Sequence, residues 1–221
     1  LVGVGCQSAS KARKELRAQA SATMLRAATF YHDKVAAHGG YVCYYTPDLK
    51  ERWGEGRATA DQIWVQPPGT PTVGLAYLKA YEATGDKFYL TAATEAAEAL
   101  AWGQLQSGGW TNRVECGVDR LLQMALNNTD EGGGVSSLDD GQTQSAIRFL
   151  VEADRALAFQ NPKVHKAAQS ALDALLAAQF SNGAFPQGFR GPVQPQPVLK
   201  ASYPTYDWRT EGRVPEYWQI Y

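Results

Sequence analysis

One loop type recurs after alternate helical stretches, and it constrains the fold more than any other feature of the chain. His38-Gly-Gly-Tyr41, Ser107-Gly-Gly-Trp110 and Asn182-Gly-Ala-Phe185 each close an apolar-periodic stretch, and their aromatic residues stand 69 and then 75 residues apart. Glycine lets a chain leave a helix in the left-handed conformation, after which the aromatic folds back. Each interval holds two helical stretches. A pair of helices cannot bury its apolar face alone, so repeated pairs stack on one another. Helical hairpins with one loop type at one end predict an all-α fold of the α/α-toroid kind, in which those loops build a cleft.

The helices follow from spacings of three and four. Leu16, Ala20, Thr23, Met24, Ala27, Tyr31 and Val35 make the first stripe. Thr70-Pro71 reads as an N-cap followed by a first-turn proline, opening a second helix that ends at Gly85. Asp86 opens a third, which carries Ala93, Ala96, Ala97, Leu100 and Ala101. A fourth follows Ser137, with Ile147, Leu150 and Val151. Asn161-Pro162 caps a fifth, with Val164, Ala168, Ala171, Leu172, Leu175 and Leu176. No stretch of similar length alternates as a strand would. Between the helices lie an aromatic loop over 42–70, an insertion over 111–136 with a short helix near Val118–Leu126, and an aromatic, proline-containing tail over 186–221.

A formal net charge of −1 gives no reason to expect nucleic acid or an anionic membrane as partner. It leaves open an acidic polymer held in a local basic cleft. No stretch reaches the length of a membrane span, and a monomer is expected. Residues 1–9 read either as the remnant of a secretory signal, with Cys6 as a lipidated cysteine, or as a frayed terminus. The first reading places the protein outside the cytoplasm, secreted or periplasmic. Residues 10–221 then form the domain, clipped at its C-terminal end. Cys43 and Cys116 are either a pair in an oxidising compartment or two buried thiols.

Adjacent carboxylates at the start of the fourth helix are the leading chemical feature. Asp139 and Asp140 offer hard oxygen ligands of the kind that hold Ca²⁺. Ser137-x-x-Asp140 also fits a variant capping box, and acids favour a helix N-terminus in any case. Arg148, eight residues after Asp140, could orient a substrate carboxylate or could pair with Glu152. Tyr41, Trp110 and Phe185 are either sugar platforms or buried plugs, with Trp110 favoured as a platform because Arg113 follows it. Gln187 and Arg190 project from the same end, and Lys200 and Tyr203 in the tail either line an electropositive cleft or belong to a solvated coat with ordinary surface ion pairs. His32, His38 and His165 form no ligand set, and there is no nucleophile elbow, phosphate loop or zinc motif.

Two segments carry a family resemblance. Ser137-Leu-Asp-Asp-Gly-Gln-Thr-Gln-Ser-Ala-Ile-Arg-Phe-Leu150 and Leu175-Leu-Ala-Ala-Gln-Phe-Ser-Asn-Gly-Ala-Phe-Pro-Gln187 resemble segments of the family 10 polysaccharide lyases, the α/α-toroid pectate lyases. There the first usually reads Asp-Asn-Gly-Ala-Thr followed by an Arg-Phe-Leu-like run. This chain has Asp140 where the family usually has Asn, which keeps an oxygen ligand and adds charge. The resemblance runs from about Gly74 to Tyr221 and implies calcium-assisted β-elimination on polygalacturonate. With it, Asp139 and Asp140 are expected to hold the metal, while Arg148, Trp110, Arg113, Gln187, Arg190, Lys200 and Tyr203 are the substrate candidates read from the residues themselves. The family's catalytic arginine lies in a segment that would begin beyond Tyr221.

Two other functions share these features. One is a uronyl glycoside hydrolase on the same toroid, using Asp139 or Asp140 as a general acid with a raised pKa. The other is a carbohydrate-binding relative without catalysis. Unsaturated ends mark the lyase, saturated reducing ends the hydrolase, and affinity alone the binder.

Overall fold

The computed structural model describes residues 3–117 and 134–194, with side chains from Ser10 onward. Among the described residues five α-helices carry the fold: α1 (Gly3–Phe30), α2 (Thr70–Thr84), α3 (Lys87–Trp102), α4 (Gln142–Ala156) and α5 (Pro162–Ala177). A π turn, Tyr31–Val35, finishes α1, and a 3₁₀ turn, Asp139–Gly141, precedes α4. The expected helix near Val118–Leu126 lies outside the described residues, as do Lys200 and Tyr203.

Local chemistry sets most boundaries. The Asp86 side chain accepts from Phe88 N (3.0 Å), and the Asn161 side chain accepts from Lys163 N and Val164 N (3.1 and 3.2 Å). Both are N-caps that satisfy otherwise orphaned donors. Gly85 ends α2 in the left-handed conformation, with its N–H on Tyr81 O. Thr70 is not the cap the sequence suggested. It is the first helical residue, and its hydroxyl is engaged across the molecule with Tyr41.

α2 packs on α3 and α4, and α4 packs on α5 and α3. The core between them holds Tyr41, Tyr77, Tyr89, Leu100, Trp110, Phe149 and Leu150, with an alanine face on α3 (Ala92, Ala93, Ala96, Ala97) that admits close neighbours. Gly74 is required where α2 meets α4, since a Cβ there would stand 2.1 Å from the Phe149 ring. The first helix departs from expectation. Its periodic stripe is real, but residues 10–24 are exposed, and Leu16 keeps 67% of its surface. Packing on the core begins at Leu25. Periodicity marks a face without supplying a partner for it.

Six short strands, two or three residues each, correct the expectation of no strands. β1 (Tyr44–Tyr45) pairs with β2 (Arg52–Trp53), β3 (Gln62–Trp64) with β4 (Arg113–Glu115), and β5 (Ser136–Ser137) with β6 (Gly188–Phe189), all antiparallel. The last two ladders join the loop of one repeat to the loop of the next. Strands this short show no alternation in sequence. Cys43 and Cys116 are free thiols. Burial pushes the Cys116 thiol up to about 12 and raises Cys43 as well, so neither is a thiolate near neutrality. No helix among the described residues is long and apolar enough to cross a membrane.

His32 ties the π turn to α3. Its Nδ1 lies 2.6 Å from Asp33 Oδ1 and its Nε2 2.9 Å from Glu95 Oε2. The Asp33 hydrogen bond, assisted by Glu95, raises the imidazole above the ordinary histidine value despite the opposing effect of burial. A raised folded pKa gives stability that is complete below the unfolded value and is lost as pH rises through the folded one. His32→Gln should therefore lower the melting temperature more at about pH 6 than at about pH 9. Equal lowering at both would show that the charge contributes nothing.

Candidate functional site

The three Gly-aromatic loops share a left-handed glycine, and the first two share their bonding to the next helix. Gly39, Gly108 and Gly183 are all left-handed (φ 81°, 90° and 87°), each two residues before its aromatic. In the first two repeats a threonine at the start of the next helix clamps the aromatic's backbone. Thr70 Oγ1 accepts from Tyr41 N (3.0 Å) and donates to Tyr41 O (3.1 Å). Thr143 Oγ1 accepts from Trp110 N (3.0 Å) and donates to Trp110 O (3.1 Å). Trp64 N and Ser137 N donate to the same two carbonyls (2.8 Å each). The next backbone bonds match as well: Val65 N donates to Asn112 O (2.7 Å), and Leu138 N to Gln187 O (2.7 Å).

This bonding fixes which residues are equivalent. Trp64 to Thr70 of the first repeat correspond to Ser137 to Thr143 of the second, and Asn112 corresponds to Gln187. Asp139 and Asp140 therefore occupy the places held by Gln66 and Pro67 in the first repeat. The scaffold forms equally well with an amide and a proline there. The acidic pair has no counterpart in the first repeat.

Nor do these acids cap α4. The hydroxyl of Ser137 accepts from Asp139 N (3.1 Å), the Asp139 carboxylate accepts from Asp140 N (3.1 Å), and no side chain caps the helix. The capping box does not form because the backbone kinks inside it. Asp140 (φ 45°, ψ 26°) and Gly141 (φ 71°) are both left-handed. That region costs a non-glycine residue about 1–2 kcal/mol, least for Asn and Asp, whose side chains bond locally. The kink leaves both carboxylates exposed at the loop end.

Amide donors meet these carboxylates in a row across the three repeats. Gln187 Nε2 donates to Asp139 Oδ2 (3.0 Å). Gln66 Nε2 donates both to Asp140 Oδ2 (3.3 Å) and to Glu55 Oε1 (3.1 Å), while its own Oε1 is buried with no partner among the described residues. Asn112 Nδ2 reaches Glu55 Oε2 at 3.5 Å. The two negative groups thus dictate how the Gln66 amide is turned. The row runs Glu55, Gln66, Asp140, Asp139, Gln187.

No family model matches the chain, and neither does any curated protein. Among solved structures it is similar to the family 10 polysaccharide lyase from Cellvibrio cellulosa, with 17% identity and a TM-score of 0.45 over 72% of this chain and 47% of that one. It is similar to the same degree to an aspartate-to-alanine mutant of a family 10 polysaccharide lyase from that organism in complex with trigalacturonic acid, there covering 48% of that chain. The chain spans about half the length of the solved structures it matches.

Of the expected site residues, the fold brings Asp139, Asp140 and Gln187 together. Arg113 is at the edge of the row, beside Asn112, and pairs through Nε with Glu115 (3.2 Å). Arg190 is exposed just after β6. Arg148 is exposed on α4, about 9 Å along the axis from its start. It makes no hydrogen bond or ion pair among the described residues, because Glu152 pairs with Arg155 instead. Trp110 is the clear correction. It is fully buried, with Nε1 on Leu100 O (2.9 Å), and its ring faces no solvent. Tyr41 is likewise a core plug, stacked on Tyr31. Phe185, in the third repeat, is 43% exposed and is clamped by no threonine among the described residues. Glu55, Gln66 and Asn112 were missed. Gln66 and Asn112 were within reach, as the repeat equivalents of Asp139 and Gln187.

A groove of about 790 Å³ lies elsewhere, between α3 and α5. Its charged walls are joined to each other: Glu98 accepts from Lys163 (2.7 Å) and Asn161 (2.8 Å). We place the site on the carboxylate–amide row, where groups from successive loops converge, and not in this groove, whose Glu98 is already paired with Lys163 and Asn161.

Proposed function

We propose that the row centred on Asp139 and Asp140 binds the uronic acid residues of an acidic polysaccharide through a divalent cation, and that the complete protein cleaves polygalacturonate by β-elimination. The observation that carries this reading is the repeat comparison: a kinked acidic pair stands where the first repeat, on the same bonding, has Gln66 and Pro67. The sequence resemblance of 137–150 and 175–187 supplies the chemistry. In this reading the helical hairpins continue into an α/α toroid whose loop end is the cleft.

The donors fit calcium in kind, being hard oxygens. They do not complete a site by number, since no three His, Cys, Asp or Glu side chains among the described residues are arranged for a metal. Asp139 and Asp140 would hold part of the ion, leaving positions for a substrate carboxylate and water. A bound calcium withdraws charge from the uronate carboxylate and so acidifies the proton on C5. A base removes that proton, the C4–O bond breaks, a C4–C5 double bond forms, and the leaving oxygen takes a proton. The present residues bind and orient. Gln187 holds Asp139, and Gln66 holds Asp140 and Glu55. Arg190 and Arg113 supply positive charge nearby for further carboxylates. The base, an arginine in this reading, is none of the residues placed on the row.

Ultraviolet absorbance of polygalacturonate treated with the complete protein tests the proposal. A rise that needs calcium and stops with chelator is expected. No rise from a folded, complete protein would remove the lyase reading. Reducing ends formed without unsaturation would make it a hydrolase.

A further inference from the structure

The hairpin β1–β2 carries a surface that the carboxylate–amide row does not use. Tyr44 is 64% exposed, the most open aromatic among the described residues. Its cross-strand partner is Trp53, so both side chains lie on one face of the hairpin. The next residue, Tyr45, alternates inward. Its hydroxyl accepts from Val42 N (2.8 Å), its ring meets Tyr31 edge-on, and the Arg52 guanidinium lies 5.8 Å from the ring centre.

A single exposed aromatic needs no explanation. This one stands on a rigid base. Gly54 follows Trp53 and lies against the buried Trp64, where a Cβ would approach the indole to 1.9 Å. Trp64 forms a small second core with Val42 and Ala58. Arg57 bridges back to Trp53 in the backbone ladder, and its guanidinium is exposed, held only by Glu51 (2.8 Å). An ion pair so open to water is worth little and is readily exchanged for another carboxylate. Glu55, two residues after Trp53, is the first member of the row that leads through Gln66 to Asp140.

We propose that the Tyr44–Trp53 face, with Arg57 at its edge, is an additional subsite for an acidic sugar residue of a bound polysaccharide. The aromatic face packs on the apolar face of a pyranose ring, and Arg57 takes the ring's carboxylate. The subsite rests on the reading of the row as a uronan site and extends it by way of Glu55.

Calorimetric titration of the 221-residue chain with oligogalacturonates of increasing length, in calcium, tests this. Wild type should gain affinity with length. Tyr44→Ala should remove that gain, about tenfold for the longest oligomers, and leave the shortest unchanged. Arg57→Gln should weaken long acidic oligomers, but not their carboxyl-reduced counterparts. Tyr44 and Arg57 are exposed, so both variants should melt as wild type does. Wild-type binding that both variants match at every length overturns the subsite and leaves the row standing. Absence of wild-type binding at any length overturns both.

Discussion

Replacing Trp110 with alanine should cost the fold about 3–5 kcal/mol, the range for a large buried aromatic. Its ring is fully buried, its Nε1 satisfies Leu100 O near the end of α3, and Thr143 clamps its backbone. Removal leaves a cavity and an orphaned carbonyl together. Since domains of this kind hold about 5–15 kcal/mol in all, that loss would take a large share of the stability. Phe185→Ala, at the equivalent place in the third repeat, should cost far less because the ring is 43% exposed. Urea melts of the two variants make the comparison. A mild Trp110 variant with lost sugar affinity would restore the platform reading that its burial argues against.

Asp139→Ala should do the opposite. The side chain is exposed and caps no helix, so the melting temperature should stay close to wild type. Binding of trigalacturonate should fall by at least about tenfold and lose its dependence on calcium, as expected when a charged ligand to a shared cation is removed. Asp140→Asn keeps both an oxygen donor and tolerance of the left-handed backbone, so it should retain much of that affinity. If Asp139→Ala unfolds the protein while Asp140→Asn binds as wild type, the acids serve the loop and not the ligand.

Much of the fold was legible because its signals are local. Asp86 and Asn161 announce helix starts through their own side chains, and the left-handed glycines at 39, 108 and 183 announce the repeat. What was hidden depends on contacts across repeats. Thr70 looks like a cap until Tyr41 is found beside it. Trp110 looks like a platform because composition cannot distinguish an aromatic that folds into the core from one that faces water. The exposure of α1 was likewise unreadable, since the stripe from Leu16 to Met24 is the same whether or not something covers it.

In the site the pattern repeats. Asp139 and Asp140 stood out by charge, and the resemblance gave them a role. Their capping alternative could be dismissed only from the left-handed kink at Asp140 and Gly141. Gln66, Asn112 and Glu55 drew no notice because amides and surface acids are common everywhere. Hydrogen bonds spanning 11, 48, 57 and 74 residues join them to the aspartates and Gln187.

The most direct test is a titration of the folded 221-residue chain with trigalacturonate, once in calcium and once in chelator. Binding in calcium that vanishes with chelator is the predicted result. Equal binding under both conditions would place the sugar on the protein without a cation, and no binding in calcium would remove the uronan site altogether.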